Sequence, residues 1–213
     1  VSTCANEGIL DFTGDGVNPE VMKGATSAIK NANGLGIPTV KPWNITTIEE
    51  RKKLVRESGA ISVAMDIDAA GLPFLKNMNP PAGAKTVDEL KEIIELSKLP
   101  FIVKGIMTVK GALKAKEAGA AAIVVSNHGG RGQDQCPATA EVLADIVDAV
   151  GGSMKILVDG GIRSGVDVFK ALALGADGGL ICRTFVTALY GGAEEGVKVY
   201  IEKLANELED TMA

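Results

Sequence analysis

Short apolar runs alternate with longer amphipathic stretches along the whole chain. The apolar runs cover residues 9–12, 37–40, 61–67, 101–103, 122–125, 156–158 and 179–181. Each is short and most are rich in Val and Ile, which reads as strands buried in a parallel sheet. The stretches between them read as helices. The first, 19–31, opens on Pro19, which suits a first helical turn. The second, 47–58, carries Glu49, Glu50, Arg51, Lys52 and Lys53 on an expected outward face. The third, 86–97, begins with Thr86 and has Glu89 three residues on, a capping-box pattern. Further helices are expected at 108–118, 138–150, 164–174 and 193–208, with a short extra one at 184–190.

A faint repeat supports this order. Gly59-Ala60, Gly119-Ala120 and Gly175-Ala176 each close a helix and enter a strand. Glycine there permits the left-handed turn that ends a helix. The recurrence spans about two β/α units, as stacked βαβ modules require. The expected fold class is therefore α/β: a TIM (β/α)8 barrel with seven of its eight strands in this chain. Residues 1–7 read as the tail of a helix and the chain starts without Met. A first strand and its helix are thus expected upstream, leaving one N-terminally truncated barrel domain over 1–213. An open doubly wound sheet is the alternative architecture.

Composition narrows the function classes. Of the 213 residues, 46% are hydrophobic and only 4% aromatic, which suits close packing of helices on a buried sheet. The net charge of -5 offers no basic patch for nucleic acid. A phosphate would have to be bound locally, by a few Arg, Lys and backbone N–H groups. No apolar run approaches the roughly 18 residues of a membrane span. Cys4, Cys136 and Cys182 are odd in number and widely spaced, which points to a reducing, cytoplasmic setting. His128 is the single histidine, so a metal site of several His ligands is excluded within one chain and no metal is expected.

Three segments at strand ends carry candidate chemistry. Ser126-Asn127-His128-Gly129-Gly130-Arg131 follows the run 122–125, where barrel active sites are built. His128 can accept a proton near neutral pH, and Arg131 can grip a carboxylate with paired hydrogen bonds. The two glycines let backbone approach a flat ligand. Asp159-Gly160-Gly161-Ile162-Arg163 and Ile181-Cys182-Arg183 follow the last two runs and precede helices. There, backbone N–H groups and two arginines could face an anion. The bland alternatives are a capping histidine, tight turns and surface arginines. Lys104 ends its strand, and Asp66 and Asp68 alternate along theirs, facing one side. Charges there need partners or a use; a structural Lys–Asp pair is the plainer reading.

S-N-H-G-G-R, then D-G-G-I-R, then a final x-R, with V-K-G upstream, closely resembles the FMN-dependent 2-hydroxy-acid oxidase and dehydrogenase family. The resemblance implies FMN as cofactor and a small 2-hydroxy acid as substrate, oxidised to a 2-oxo acid. It implies that His128 is the base, Asp68 its partner, Arg131 the substrate clamp, and Lys104 the stabiliser of the reduced flavin. It places Asp159 on the ribityl chain, Gly161, Arg163 and Arg183 on the phosphate, and Lys41 and Asp66 around the flavin ring. Ser126, Gly160 and Cys182 belong to the same cofactor set. The chain departs from the family where a second substrate arginine is usual, since residues 69–74 contain none. Trp43 stands where Tyr is usual, Cys182 where Gly is usual, and Gly132-Gln133-Asp134 where Gln-Leu-Asp is usual. Another FMN barrel, such as a type 2 isopentenyl diphosphate isomerase, and an inactive barrel fragment are the competing functions. A homo-oligomer is expected, because seven strands leave two unpaired edges.

Overall fold

The computed structural model describes residues 1–79 and 82–213. Seven strands form one sheet: β1 (Phe12–Thr13), β2 (Ile37–Val40), β3 (Val63–Asp66), β4 (Phe101–Ile106), β5 (Ala122–Val125), β6 (Lys155–Val158) and β7 (Gly178–Gly179). Every neighbouring pair is parallel, and the spatial order is the chain order. A doubly wound sheet reverses direction at a switch point. This one never reverses, which is how a sheet curls into a barrel. The fold is seven strands of a (β/α)8 barrel, with the connecting helices outside.

Side-chain alternation divides the strands into two faces. Ile37, Ala64, Ile102, Ala122 and Val124 form one buried cluster, joined by Phe12, Leu157 and Leu180. These line the barrel interior. Their neighbours Val63, Met65, Phe101, Val103, Ile123, Val125, Ile156 and Val158 join Leu90, Ile93, Ala112, Leu143 and Ile146 from the helices. Both faces are apolar because both are covered.

The helices follow their caps. Asn18 accepts from the Glu20 N–H at 3.0 Å and starts Pro19–Asn31. Asn44 accepts from the Thr47 N–H at 3.0 Å, so that helix begins at Ile45, earlier than the charge pattern suggests. Its Arg51 is buried at 7% exposure instead of facing outward. It lies between Ile48 and Val55 at helical spacing, on the face that these two buried residues share. The Thr86–Glu89 capping box forms as expected. The last helix, Arg183–Met212, is broken at Gly192 and Ala193, close to the two-helix reading.

Strand limits differ from expectation at five strands: β3 is shorter than the run 61–67, β6 starts one residue before 156, and three others differ as well. The run 9–12 pairs only at its end, as β1. β7 is shifted one residue earlier and is shorter than 179–181. β4 extends beyond Lys104 to Ile106 through a register shift between those residues. Among the described residues, no helix is long and apolar enough to cross a membrane.

Candidate active site

The inward row on each strand turns polar as it leaves the apolar layer. Ile37 is followed two and four residues on by Thr39 and Lys41, Ala64 by Asp66, Ile102 by Lys104, Val124 by Ser126, and Leu157 by Asp159. Period-two alternation therefore delivers polar groups from β2 to β6 to one C-terminal rim.

Lys104 is the hub. Its register partner across the β3–β4 ladder is Asp66. The ammonium lies 3.4 Å from Asp66 Oδ1 and 3.2 Å from Asp159 Oδ2, and it donates to Ser126 Oγ at 3.1 Å. Burial pulls its pKa down, but the charges of Asp159, Asp66 and Asp68 outweigh that pull, and the net shift is upward. Lys104 is held as a cation in a largely enclosed site.

The second group is His128 with Asp68. Asp68 is not on the strand, as its alternation with Asp66 suggested, but on the 3-10 turn Ile67–Gly71 that follows it. His128 has φ 55, an uncommon conformation for a side-chain-bearing residue. Its N–H donates to Ser126 Oγ, and its Nδ1 lies 3.0 Å from Asp68 Oδ2. A carboxylate can only accept, so Nδ1 carries a proton, and in the neutral ring Nε2 is the acceptor nitrogen. Asp66, Asp68 and His128 bring ligand-type atoms within 4.8 Å of one another. Lys104 already supplies the positive charge that these carboxylates need.

A third cluster escaped the sequence reading. Asp15, two residues beyond β1, is fully buried. It accepts from the Lys41 N–H at 3.2 Å, from Lys41 Nζ at 3.1 Å and from Trp43 Nε1 at 2.6 Å. Lys41 is therefore tied to Asp15, at the β1–β2 end of the rim. The available signal was an acid just past an apolar run, as at β3 and β6. Asp15→Ala leaves the buried indole N–H and the Lys41 ammonium without their acceptor. It should lower stability by about 2–3 kcal/mol, read as a shifted urea midpoint.

The remaining loops meet at the same rim. Arg131 lies over the Phe74 ring, 6.0 Å from its centroid, and is exposed. Arg183 stands beside the His128 loop, its guanidinium 3.7 Å from where a Cβ on Gly129 would be. Gly160 and Gly161 have φ 87 and 81, and the Asp159 carbonyl between β6 and these glycines accepts from Thr139 at 2.6 Å. Arg163 is exposed; its carbonyl accepts from the Tyr200 hydroxyl, whose oxygen in turn accepts from the Thr184 hydroxyl at 2.9 Å. Cys182 is exposed at the start of the last helix. One expectation is corrected. The N-terminus of the helix Gly165–Ala173 is not free for an anion, because the Asp167 carboxylate accepts from the N–H groups of Arg163 and Ser164. The helix starting at Arg183 has no side-chain cap, so its first N–H groups are the better anion site.

Residues 18–213 match the FMN-dependent dehydrogenase family. The chain belongs to that family. It is 52% identical over 129 residues to a peroxisomal (S)-2-hydroxyacid oxidase of Arabidopsis thaliana, a match covering 61% of this chain and 35% of that protein. It is 46% identical over 140 residues to an L-lactate oxidase of a Nostoc strain, covering 66% of this chain and 38% of the relative. A solved structure of mandelate oxidase with benzoyl-formic acid superposes with a TM-score of 0.84 at 30% identity, covering 99% of this chain and 66% of that one. The matches thus span about a third of the curated relatives' length.

The residues present fit the flavin nucleotide of an FMN-dependent dehydrogenase. A Cβ on Gly130 or on Gly161 would meet nothing within 4 Å, so both loops border open space. Arg183 flanks the Gly129–Gly130 loop near the uncapped helix start, and Lys104 supplies a fixed positive charge beside Asp159, the residue before Gly160. A dianionic phosphate and a polar ring that gains negative charge on reduction suit this donor set.

Proposed function

We propose that this chain carries the FMN site and the proton-transfer pair of an enzyme that oxidises a small 2-hydroxy acid to the 2-oxo acid. FMN, when bound, supplies the acceptor for the two electrons that leave the substrate. His128 Nε2 takes a substrate proton. Asp68 holds the imidazole by Nδ1 and stabilises the charge that the ring acquires. Arg131 clamps the substrate carboxylate, and Phe74 beneath it holds the guanidinium plane. Lys104 holds positive charge at the rim, and Arg163, Arg183 and the last helix's first N–H groups take the phosphate. The site residues are assigned as the family resemblance implies, with Asp15 and Trp43 added as the framework for Lys41. A homo-oligomer is part of the same reading, and the three unpaired cysteines support a cytoplasmic setting.

The observation that carries this reading is the Asp68–His128 pair with its free Nε2, on the same rim as Lys104. Trp43 is the only tryptophan and sits on that rim, so its fluorescence is a built-in reporter. Titrating FMN into the protein should quench Trp43 and saturate at one FMN per chain. Anaerobic addition of lactate, glycolate or mandelate should then bleach the visible flavin bands. Saturable FMN binding without bleaching by any 2-hydroxy acid would leave the isomerase-type alternative standing.

A further inference from the structure

The catalytic pair needs Asp68 to stay in place, and its hydrogen bonds do not secure it. Oδ2 reaches His128. Oδ1 is buried and has no hydrogen-bond partner among the described residues. A carboxylate anchored through one oxygen can turn about its side-chain torsions unless packing prevents it.

The packing comes from β4. At Gly105 the ladder between β4 and β5 shifts register, with Lys104 opposite Val124 and Ile106 opposite Val125. Such a bulge adds one residue to a strand and re-aims its neighbours. Gly105 has φ +99, and a Cβ built on it would lie only 2.4, 2.5 and 2.6 Å from the Asp68 Cγ, Oδ1 and Cβ atoms. The volume that any side chain at 105 would take is the volume that Asp68 fills.

We infer that Gly105 is a positioning residue: the bulge opens a slot in the barrel wall, and the missing side chain leaves that slot to the Asp68 carboxyl, which is thereby held in line with His128 Nδ1. The inference rests on the proposed role of His128, but it concerns an imidazole and a carboxylate that can be read without flavin or substrate.

His128 is the only histidine, so ¹⁵N-histidine labelling gives a single imidazole in the NMR spectrum. The native chain should show a protonated Nδ1 and a downfield Nδ1–H bonded to carboxylate. Asp68→Gly should lose that signature. Gly105→Ala should lose it too, and in the FMN-loaded protein should cost roughly 100-fold in kcat with flavin content unchanged. Gly119→Ala is the control for backbone strain, because Gly119 has φ +90 and a Cβ there would meet nothing within 4 Å; its imidazole signature should stay native. If Gly105→Ala folds poorly, adding Asp68→Gly should restore thermal stability, since it removes the three overlapping atoms. A native signature in Gly105→Ala overturns the inference, and so does a double variant no more stable than Gly105→Ala alone. A lost signature in Gly105→Ala combined with full turnover in His128→Ala supports the positioning role and removes the proposed reaction instead.

Discussion

His128→Ala is expected to lower turnover of the FMN-loaded protein by roughly 10²–10⁴-fold, the usual contribution of a positioned general base, while flavin content stays at the native level. The base is specified by geometry. Asp68 Oδ2 lies 3.0 Å from Nδ1, which leaves Nε2 as the ring's acceptor. The imidazole is also fixed from its own backbone, since the His128 N–H donates to Ser126 Oγ and φ 55 turns the side chain away from an ordinary loop direction. Ser126 Oγ accepts from Lys104 as well, so one hydroxyl aligns the base with the rim cation. His128→Ala leaves Asp68 without its partner, and some stability loss will accompany the kinetic one. His128→Gln retains a donor toward Asp68 but no base, and it separates the two effects. Both variants should lose turnover, and only the alanine should lose substantial stability. Turnover near the native rate in either variant would mean that another group takes the proton.

The strands and their direction of winding were legible because buried parallel strands are written as apolar runs, and here five of the seven expected runs pair over most of their length. Helix starts were legible where a cap is written in the sequence, as at Thr86. They were misplaced where Asn44 captures an earlier N–H than the charge pattern implies. Arg51 shows why residue type alone misleads: it shares the buried face of Ile48 and Val55 although its head is charged. At the site, Lys104 and Asp66 stood out because charge in an apolar strand is costly without a use, and His128 and Asp159 because their Gly-rich segments follow strands at the end where barrel sites are built. Asp15 carried the same signal more weakly, since β1 is only two residues long and its apolar run ends before the inward row is evident. Asp167 and Gly105 lay beyond reach for another reason. Which N–H groups a carboxylate takes, and which side chain fills a neighbour's empty volume, are settled by three-dimensional placement, and linear spacing carries no trace of either.

The rim cation offers the second large effect. Lys104→Met should destabilise the chain by about 3–5 kcal/mol, the range for removing one member of a buried charge cluster. The cause is not lost packing, because Met nearly matches the lysine stem. Asp66 is buried and Asp159 partly so, and in the variant both carboxylates face each other with no ammonium between them. Adding Asp66→Asn to Lys104→Met should recover part of the loss by relieving that repulsion, and no recovery would show that the cluster's charge is not what stabilises it. The pH dependence has a definite sign. Lys104 binds its proton more tightly in the folded chain than the ordinary value of 10.5, because three carboxylates outweigh its burial. Its contribution is therefore complete below the ordinary lysine pKa and is lost as pH rises through the elevated folded value. Urea unfolding of the native chain and Lys104→Met should differ by a constant amount from pH 7 to about 10 and converge above it. A gap that instead closes toward acid would place the stabilising titration on the carboxylates rather than on the lysine.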